Sequence, residues 1–594
     1  MAKETEFINP YNFIPQFKGV VRKQNNLNEG TLTGYIECEL TTKTPMIIVD
    51  PNKMKEKNGH KTYSDTFRLG DGEKTPAIPA SALRGMIRSK FETLTNSCMS
   101  NLDENLLFTG RYSGFMKKAG LLDCSGKEPI LYATQAYPVK KDKRGNCDGF
   151  NTGDEVTFCT ESVRGRGKEY IKKINDRDDD PKGIVKLGER MNENSVYVFQ
   201  SNYNRKIAEG KWLKDTYENL NQLFKKNKDS AENHKGYTKK DVKPVWYVQI
   251  ENQIYISLSQ KGQIEFNKRL KDVMRDDSYL PCRTDEVCSA CDLFGMVNGK
   301  AKSGKVRFSD ALLTSENQNL FIKKSYTLPP LNTPKHSNAS FYLQLDIGKM
   351  EDAWNVDFTG KPGNETYLNE GEVFIRGRKE YWHHQPDFRD GENKTNLNST
   401  VDILNKGLKY AFKVYFDSIT ENELNQLLFS ICLGNETDYC HKLGMGKPLG
   451  FGSIKVKITK TVLRDVNNED GKIHYETKKY SPSWCDNQNG LDIISELYNL
   501  NDTQTKAINH MYSFNFIEEA KIVSYPKEKN EGDNGYEWFS ENKDYRTGKY
   551  KSVLPFADKE YDDLIQHGHD KPYRKSNNKK RKSHASKNYN KYKR

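Results

Sequence analysis

The chain has 594 residues, 35% of them hydrophobic, with a mean hydropathy of −0.88 and a net charge of +13, enough for roughly two to four domains around a modest core. No apolar run nears the ~20 residues that span a bilayer, and the N-terminus MAKETEFINPYNFIPQF has no apolar signal core, so the expectation is a cytoplasmic protein without a membrane partner. The eleven cysteines form no disulfide-like framework, which points to reduced thiols or metal ligands.

In chain order, Leu32–Leu40 alternates, with Leu32, Gly34, Ile36, Cys38 and Leu40 on one side and Tyr35, Glu37 and Glu39 on the other, as in a half-buried strand. Next, PAIPASALRGMIR carries Leu83, Met86, Ile87, Phe91 and Leu94 on one helical stripe, with Ser81 as a plausible N-cap. Arg84 and Arg88 lie one turn apart near this helix start. They form either an ordinary solvated edge or, together with the helix N-terminus, a phosphate site. Residues 100–241 read as a charged insertion, with a basic turn VRGRGK at 163–168 and brief helical periodicity around Trp212–Phe224. Strand character returns near Val245–Leu258, Lys305–Phe308 and Phe341–Ile347. Glu372–Trp382 reads as a hairpin with a basic turn at Arg376 and Arg378. Basic residues beside aromatics suit single-stranded nucleic acid, although an ordinary exposed hairpin has the same pattern.

Tyr410, Phe412, Val414 and Phe416 alternate as a strand. Thr420 and Glu423 make a capping-box pattern before a stripe of Leu424, Leu427, Leu428 and Ile431 that Gly434 can close. Then comes LGMGKPLGFGSIKVK, with Gly444, Gly446, Gly450 and Gly452 around Lys447. Pro448 after the lysine excludes a Walker loop, and the alternation of Ile454, Val456 and Ile458 predicts a strand where a dinucleotide fingerprint needs a helix. Such a loop either cradles a sugar-phosphate backbone or is a tight turn with a bulge. The order strand–helix … strand–helix–strand fits an α+β, ferredoxin-like (RRM-like) split βαβ fold with large insertions. The residues leave open which middle segment supplies its second strand. Aromatic patches at Tyr480–Trp484, Tyr536–Phe539 and Val553–Phe556 predict an ordered extension. From Lys571 to Arg594 eight Lys and three Arg meet no acid, so eleven of the thirteen net positive charges sit in a tail expected to be disordered and drawn to polyanions. The expected divisions are 1–99, 100–241, 242–460, 461–570 and 571–594.

Cys282, Cys288 and Cys291 follow a C-x5-C-x2-C spacing that suits structural Zn2+, with a metal-free turn or a redox pair as alternatives.

Three motifs in register resemble the RAMP superfamily of CRISPR-associated proteins. Ala77–Arg88, AIPASALRGMIR, resembles that superfamily's first-helix motif. Cys288–Gly295, CSACDLFG, followed by Gly304–Ala311, GKVRFSDA, resembles its middle segment, and the glycine-rich loop resembles its C-terminal signature. The length and late aromatic motifs resemble a longer branch of the backbone subunits of type III effector complexes. The resemblance implies a core over roughly Thr31–Lys460 that grips a CRISPR guide RNA. It further implies a hairpin thumb that segments the guide–target duplex, and contacts with other effector subunits. Ser81, Arg84, Arg88, Gly446, Lys447, Gly450 and Gly452 would then hold guide phosphates, and several members complete a zinc site from the position of Cys98. In catalytic members an aspartate between the first strand and first helix cuts complementary target RNA. The matching stretch is YSDTF…Asp71, which puts Asp65 at that position, with Phe67 where the family has proline. Asp50 is the second candidate, and Mg2+ or Mn2+ accompanies cleavage. A turn or cap aspartate is the alternative for both. A non-catalytic structural subunit is a further reading. So is a stand-alone RNA-processing endonuclease, for which His441 is the only candidate. His383 and His384, adjacent in a strand, make a poor ligand pair.

Overall fold

The alternation that begins at Leu32 produces a long strand because Ile36, Cys38 and Leu40 are buried while Tyr35, Glu37 and Glu39 stay half exposed. The computed structural model describes residues 6–567 except 17–18, 25–30, 70–74, 112–117, 140–148, 163–168, 176, 189–195, 203–204, 227–236, 251–252, 261–262, 316–318, 332–338, 346–372, 387, 389–392, 470–471, 527–537, 539–541 and 543–551. The basic tail, the 163–168 turn, Asp71 and most of 536–539 therefore lie outside the described residues.

The elements that build the site are β1 (Leu32–Thr42), β2 (Thr75–Ile78), α1 (Ala80–Leu94), α2 (Ser289–Phe294), β3 (Val306–Phe308), β4 (Ala311–Leu313), β5 (Arg378–Tyr381), β6 (Lys409–Ile419), α3 (Glu421–Cys432) and β7 (Ser453–Glu469). Six of these strands belong to one nine-stranded sheet. Across it the order is β7–β1–β6, then β3 and β4, then β2, and each of these pairs is antiparallel. Residues 306–313 thus supply the middle strand that the sequence leaves open. The architecture is mixed α+β, with many strands and few helices.

Helix α1 buries Leu83, Met86, Ile87, Phe91 and Leu94 in the same core as Leu424, Leu427, Leu428 and Ile431 of α3. Its start differs from expectation. Pro79 occupies the cap position and Ser81 lies exposed inside the first turn. The first amide, Ala80 N–H, donates instead to Asp310 Oδ1 at 2.6 Å, from the turn between β3 and β4. The carboxylate satisfies an otherwise orphaned donor and complements the positive end of the helix. The Thr420–Glu423 capping box forms as expected, and α3 ends on Leu433 in the left-handed region just before Gly434.

One other expectation is corrected. The 372–382 hairpin does not form: Val373–Ile375 pairs with Leu343–Leu345, whereas β5 pairs with Tyr11–Ile14. Between the two strands lies Gly377, at φ +123° and packed so tightly on Ile14 that a Cβ would sit 2.0 Å from its carbonyl oxygen. The loop before α1 also contains a hairpin, Met54–Lys57 with His60–Tyr63, turned by Asn58 and Gly59, both at positive φ. His60–Tyr63 then runs parallel to Ser399–Leu404 in a four-stranded sheet.

The insertion carries two five-stranded sheets. One of them draws in Val242–Ile250 and Gln253–Ser257, so this structured unit reaches past 241. The C-terminal extension is ordered over its described residues. Trp484 packs edge-on against Phe429 of α3 at 5.7 Å, and Gln566–His567 pairs with Glu6–Phe7.

Candidate nucleic-acid interface and metal centre

The glycine-rich loop folds back onto the end of β1. Gly446, Gly450 and Gly452 all have positive φ, and Lys447–Leu449 form a single 3-10 turn between the first two. Met445 N–H donates to Ile47 O at 3.0 Å and Gly452 N–H to Pro45 O at 2.9 Å. At Gly452 (φ +74°) a Cβ would lie 1.8 Å from Leu443 O, so no other residue fits without moving backbone. Gly452→Ala is therefore expected to destabilise the fold by more than ~2 kcal/mol, measured by chemical denaturation. Wild-type stability would show that the loop can rearrange freely.

Beneath this loop lies a group of charges that periodicity does not reveal. Lys447 is half-buried, and burial lowers its pKa against the opposing pull of Glu380. Lys90 of α1, buried, sits 3.0 Å from Glu380 of β5, with its ammonium 3.7 Å from the centre of the Tyr512 ring. Lys442 is buried and pushed down to about 7, chiefly by burial, with Lys447 and Lys90 also repelling its charge. Lys90 and Lys447 thus share one carboxylate, and Lys442 lies close enough to repel both, an excess of positive charge that suits an approaching phosphate. The lysines come from two distant stretches of chain, and only the spacing of Lys442 and Lys447 hints at the group.

The arginines of α1 are engaged elsewhere. Arg84 donates to Phe294 O. Arg88 donates to Glu92 at 2.8 Å, to Gly295 O at 3.0 Å and to Cys291 Sγ at 3.7 Å. Arg378, expected on an exposed turn, reaches inward to Glu92 at 3.2 Å and to Cys98 O at 3.0 Å. Arg376 is buried, donates to Leu343 O at 3.2 Å and lies over the Phe556 ring. Neither hairpin arginine is placed on an exposed turn.

Arg88 and Arg378 instead flank a buried cluster of Cys98, Cys282, Cys288 and Cys291, whose sulfurs all lie within 4.8 Å of one another. Cys98 Sγ is 3.6 Å from both Cys288 Sγ and Cys291 Sγ. A tetrahedral zinc with Zn–S of ~2.3 Å spaces its sulfurs by ~3.8 Å, so this donor set fits. Hydrogen bonding among the four thiols splits them, drawing Cys288 and Cys282 down and pushing Cys98 and Cys291 up, so all four ionise together only with a cation between them. Cys98 follows α1 and Cys291 lies in α2, so the cluster ties the two helices together.

Asp65 follows the His60–Tyr63 strand with φ +76°, a strained value for a residue with a side chain. Its two carboxylate oxygens accept from Arg68 at 2.8 and 3.0 Å, and one also accepts from Thr66 N–H at 2.8 Å. Arg68 foremost, then Thr66, hold its pKa below the usual aspartate range against partial burial. The side chain is 37% exposed, so it is both ionised and reachable. Asp402 holds the turn in place, accepting Asp65 N–H at 2.8 Å and Ser325 N–H at 2.7 Å. Asp50 differs: it is 7% exposed and caps the 51–53 turn by accepting Asn52 N–H at 3.0 Å. Arg68 and Asp402 escaped the sequence reading, though a charged residue within the apolar run Val401–Leu404 was a usable signal.

A sequence model of the RAMP superfamily matches residues 39–455. The chain belongs to the RAMP superfamily. No curated protein matches it. The superfamily points to a CRISPR-related role in RNA binding, and no helix among the described residues of this RAMP protein is long and apolar enough to cross a membrane.

Two of the three RAMP-like motifs meet directly, through Asp310 at the start of α1 and through Arg84 and Arg88 on the end of α2. The third, the glycine-rich loop, approaches α1 through Lys447 and Lys90. The three histidines singled out in this RAMP sequence are packed inside. His441 is fully buried, with Nε2 2.9 Å from Ile431 O, and burial foremost, then Lys90, pushes it down to about 3. A histidine so enclosed and neutral does not fit a general acid or base that must reach RNA. His383 and His384 turn to separate partners, Ser453 Oγ and Gln385 O.

Proposed function

We propose that this RAMP protein is a guide-RNA-binding backbone subunit of a type III CRISPR effector that also cuts complementary target RNA through Asp65. The single observation that carries the binding role is the family match over 39–455. The strand order β7–β1–β6–β3, with α1 and α3 as the two helical connections, supports a ferredoxin-like core. In this reading Lys447, with Lys90 and Lys442 behind it, receives guide phosphates beside Gly446 and Gly450, and Ser81 and Arg84 border the same helix start. Cys98, Cys282, Cys288 and Cys291 hold zinc, which braces α1 against α2. Asp65, kept ionised by Arg68, takes the 2′-hydroxyl proton of a splayed target nucleotide or ligates Mg2+ or Mn2+. Arg68 adds positive charge near the phosphate being cut. The other effector subunits are the partners, and the cytoplasm is the site of action.

A non-catalytic structural subunit is the second reading, favoured by the Arg68 and Thr66 hydrogen bonds that already occupy the Asp65 carboxylate. The binding role is tested with Lys447→Ala. Affinity for guide RNA is expected to fall alike for all sequences, and the slope of log K against log salt to flatten by about one. A loss confined to some sequences would contradict a phosphate contact.

A further inference from the structure

The central sheet buries one face against α1 and α3, and its other face carries an aromatic pair that folding does not require. The register sets Tyr35 of β1 opposite Tyr415 of β6, with ring centres 6.3 Å apart. Arg307 of β3 stands opposite Tyr415 on the other side. Arg464 of β7 places its guanidinium 5.1 Å from the centre of the Tyr35 ring. Four strands therefore contribute one row, Arg464–Tyr35–Tyr415–Arg307, across the sheet. Tyr415 is 41% exposed, and both arginines are exposed. Of the neighbouring acids, Glu37 pairs with Lys413 at 2.9 Å and Glu39 with Lys409 at 3.0 Å, while Asp417 accepts from Thr33 Oγ1 at 2.7 Å. Among the described residues neither arginine has a carboxylate partner, so the charge left on this row is positive.

A cross-strand aromatic pair can serve stability alone, at about 0.2–1 kcal/mol. That role needs no arginine on either side and gains nothing from leaving Tyr415 open. Exposed rings between unpaired guanidinium groups are what single-stranded nucleic acid recognises: bases stack on the rings and phosphates meet the cations. From Tyr35 to Thr42, the end of β1 nearest the glycine-rich loop, is roughly 23 Å at strand rise. The row is therefore a separate place from that loop.

We propose that the open sheet face is a second nucleic-acid site, on which single-stranded nucleic acid stacks bases over Tyr415 and Tyr35 while Arg307 and Arg464 pair the flanking phosphates. The site stands independently of the roles assigned to Asp65 and Lys447. Lys413, 5.1 Å from the Tyr35 ring and paired with Glu37, adds a further cation beside the stacked base.

The test uses the full chain stripped of co-purifying RNA, with a 12-mer oligouridine carrying one 5-iodouridine, and the DNA of the same sequence to separate the two polymers. Photocrosslinks mapped by mass spectrometry are expected at Tyr415 or Tyr35, which distinguishes this face from the basic tail. Tyr415→Ala is expected to weaken binding about tenfold and to remove the crosslink, whereas Tyr415→Phe retains both. Arg307→Ala is expected to flatten the salt slope by about one. Should Tyr415→Ala fail to fold, the exposed Arg307→Ala and Arg464→Ala variants carry the test. Wild-type binding in the tyrosine or arginine variants, with crosslinks only elsewhere, would overturn the proposal and leave the pair a stabilising contact or a protein-docking face.

Discussion

Asp65→Asn in the guide-loaded complex is expected to slow cleavage of complementary RNA by at least ~10²-fold while guide binding is retained. Asparagine keeps the size of the side chain and can still accept from Thr66 N–H and Arg68, but it has no negative charge to take a proton or hold a metal ion. A purely structural Asp65 would give the opposite pattern, with lower stability and unchanged cleavage. The positive φ of Asp65 is held by Asp402 and Thr66, which fixes the direction of its side chain. The pH dependence has a definite sign. Arg68 lowers the folded pKa of Asp65 below the ~3.9 of a free aspartate, so the Asp65 charge persists from neutrality to about pH 5. Cleavage measured across that range should not fall through protonation of Asp65. The stabilisation from the Asp65–Arg68 pair is present above the unfolded pKa and is lost only as pH falls through the lowered folded value.

Cys288→Ser is expected to lower the metal content from about one zinc per chain to well below it, and to cost at least ~3 kcal/mol of folding free energy. Metal-binding free energy is folding free energy where ligands come from distant parts of the chain, and in isolated zinc-finger peptides it amounts to ~10–16 kcal/mol. Cys98 and Cys282–Cys291 are such distant parts. Losing the metal leaves buried thiols and frees Arg88 and Arg378 from the cluster they flank. Elemental analysis and thermal melts with and without a chelator measure both effects. Wild-type protein whose melt is unchanged by the chelator would show that packing alone holds the four cysteines together.

Short-range periodicity made the framework of this fold legible. The alternation at Leu32–Leu40, the stripe Leu83–Leu94 and the Thr420–Glu423 box all describe neighbours in sequence, and the structure forms each of them. What was not legible depends on distant parts of the chain. Asp310 replaces Ser81 at the start of α1 across a gap of 230 residues. Val373–Ile375 and β5 pair with Leu343–Leu345 and Tyr11–Ile14, far away in sequence, in place of the expected hairpin. The fourth cysteine followed only from family resemblance, because nothing in the spacing of Cys282, Cys288 and Cys291 points to residue 98. The lysine group under the glycine loop is hidden for the same reason, since Lys90 there reads as one more charge on a helix edge.

The most direct test of guide-RNA binding is to purify the protein from cells that carry its CRISPR array and sequence the RNA that comes with it. The expected result is a discrete set of RNAs that begin in the CRISPR repeat and continue into spacer sequence, reduced in yield by Lys447→Ala. Purification without RNA, or with bulk cellular RNA lacking repeat sequence, would contradict the assignment.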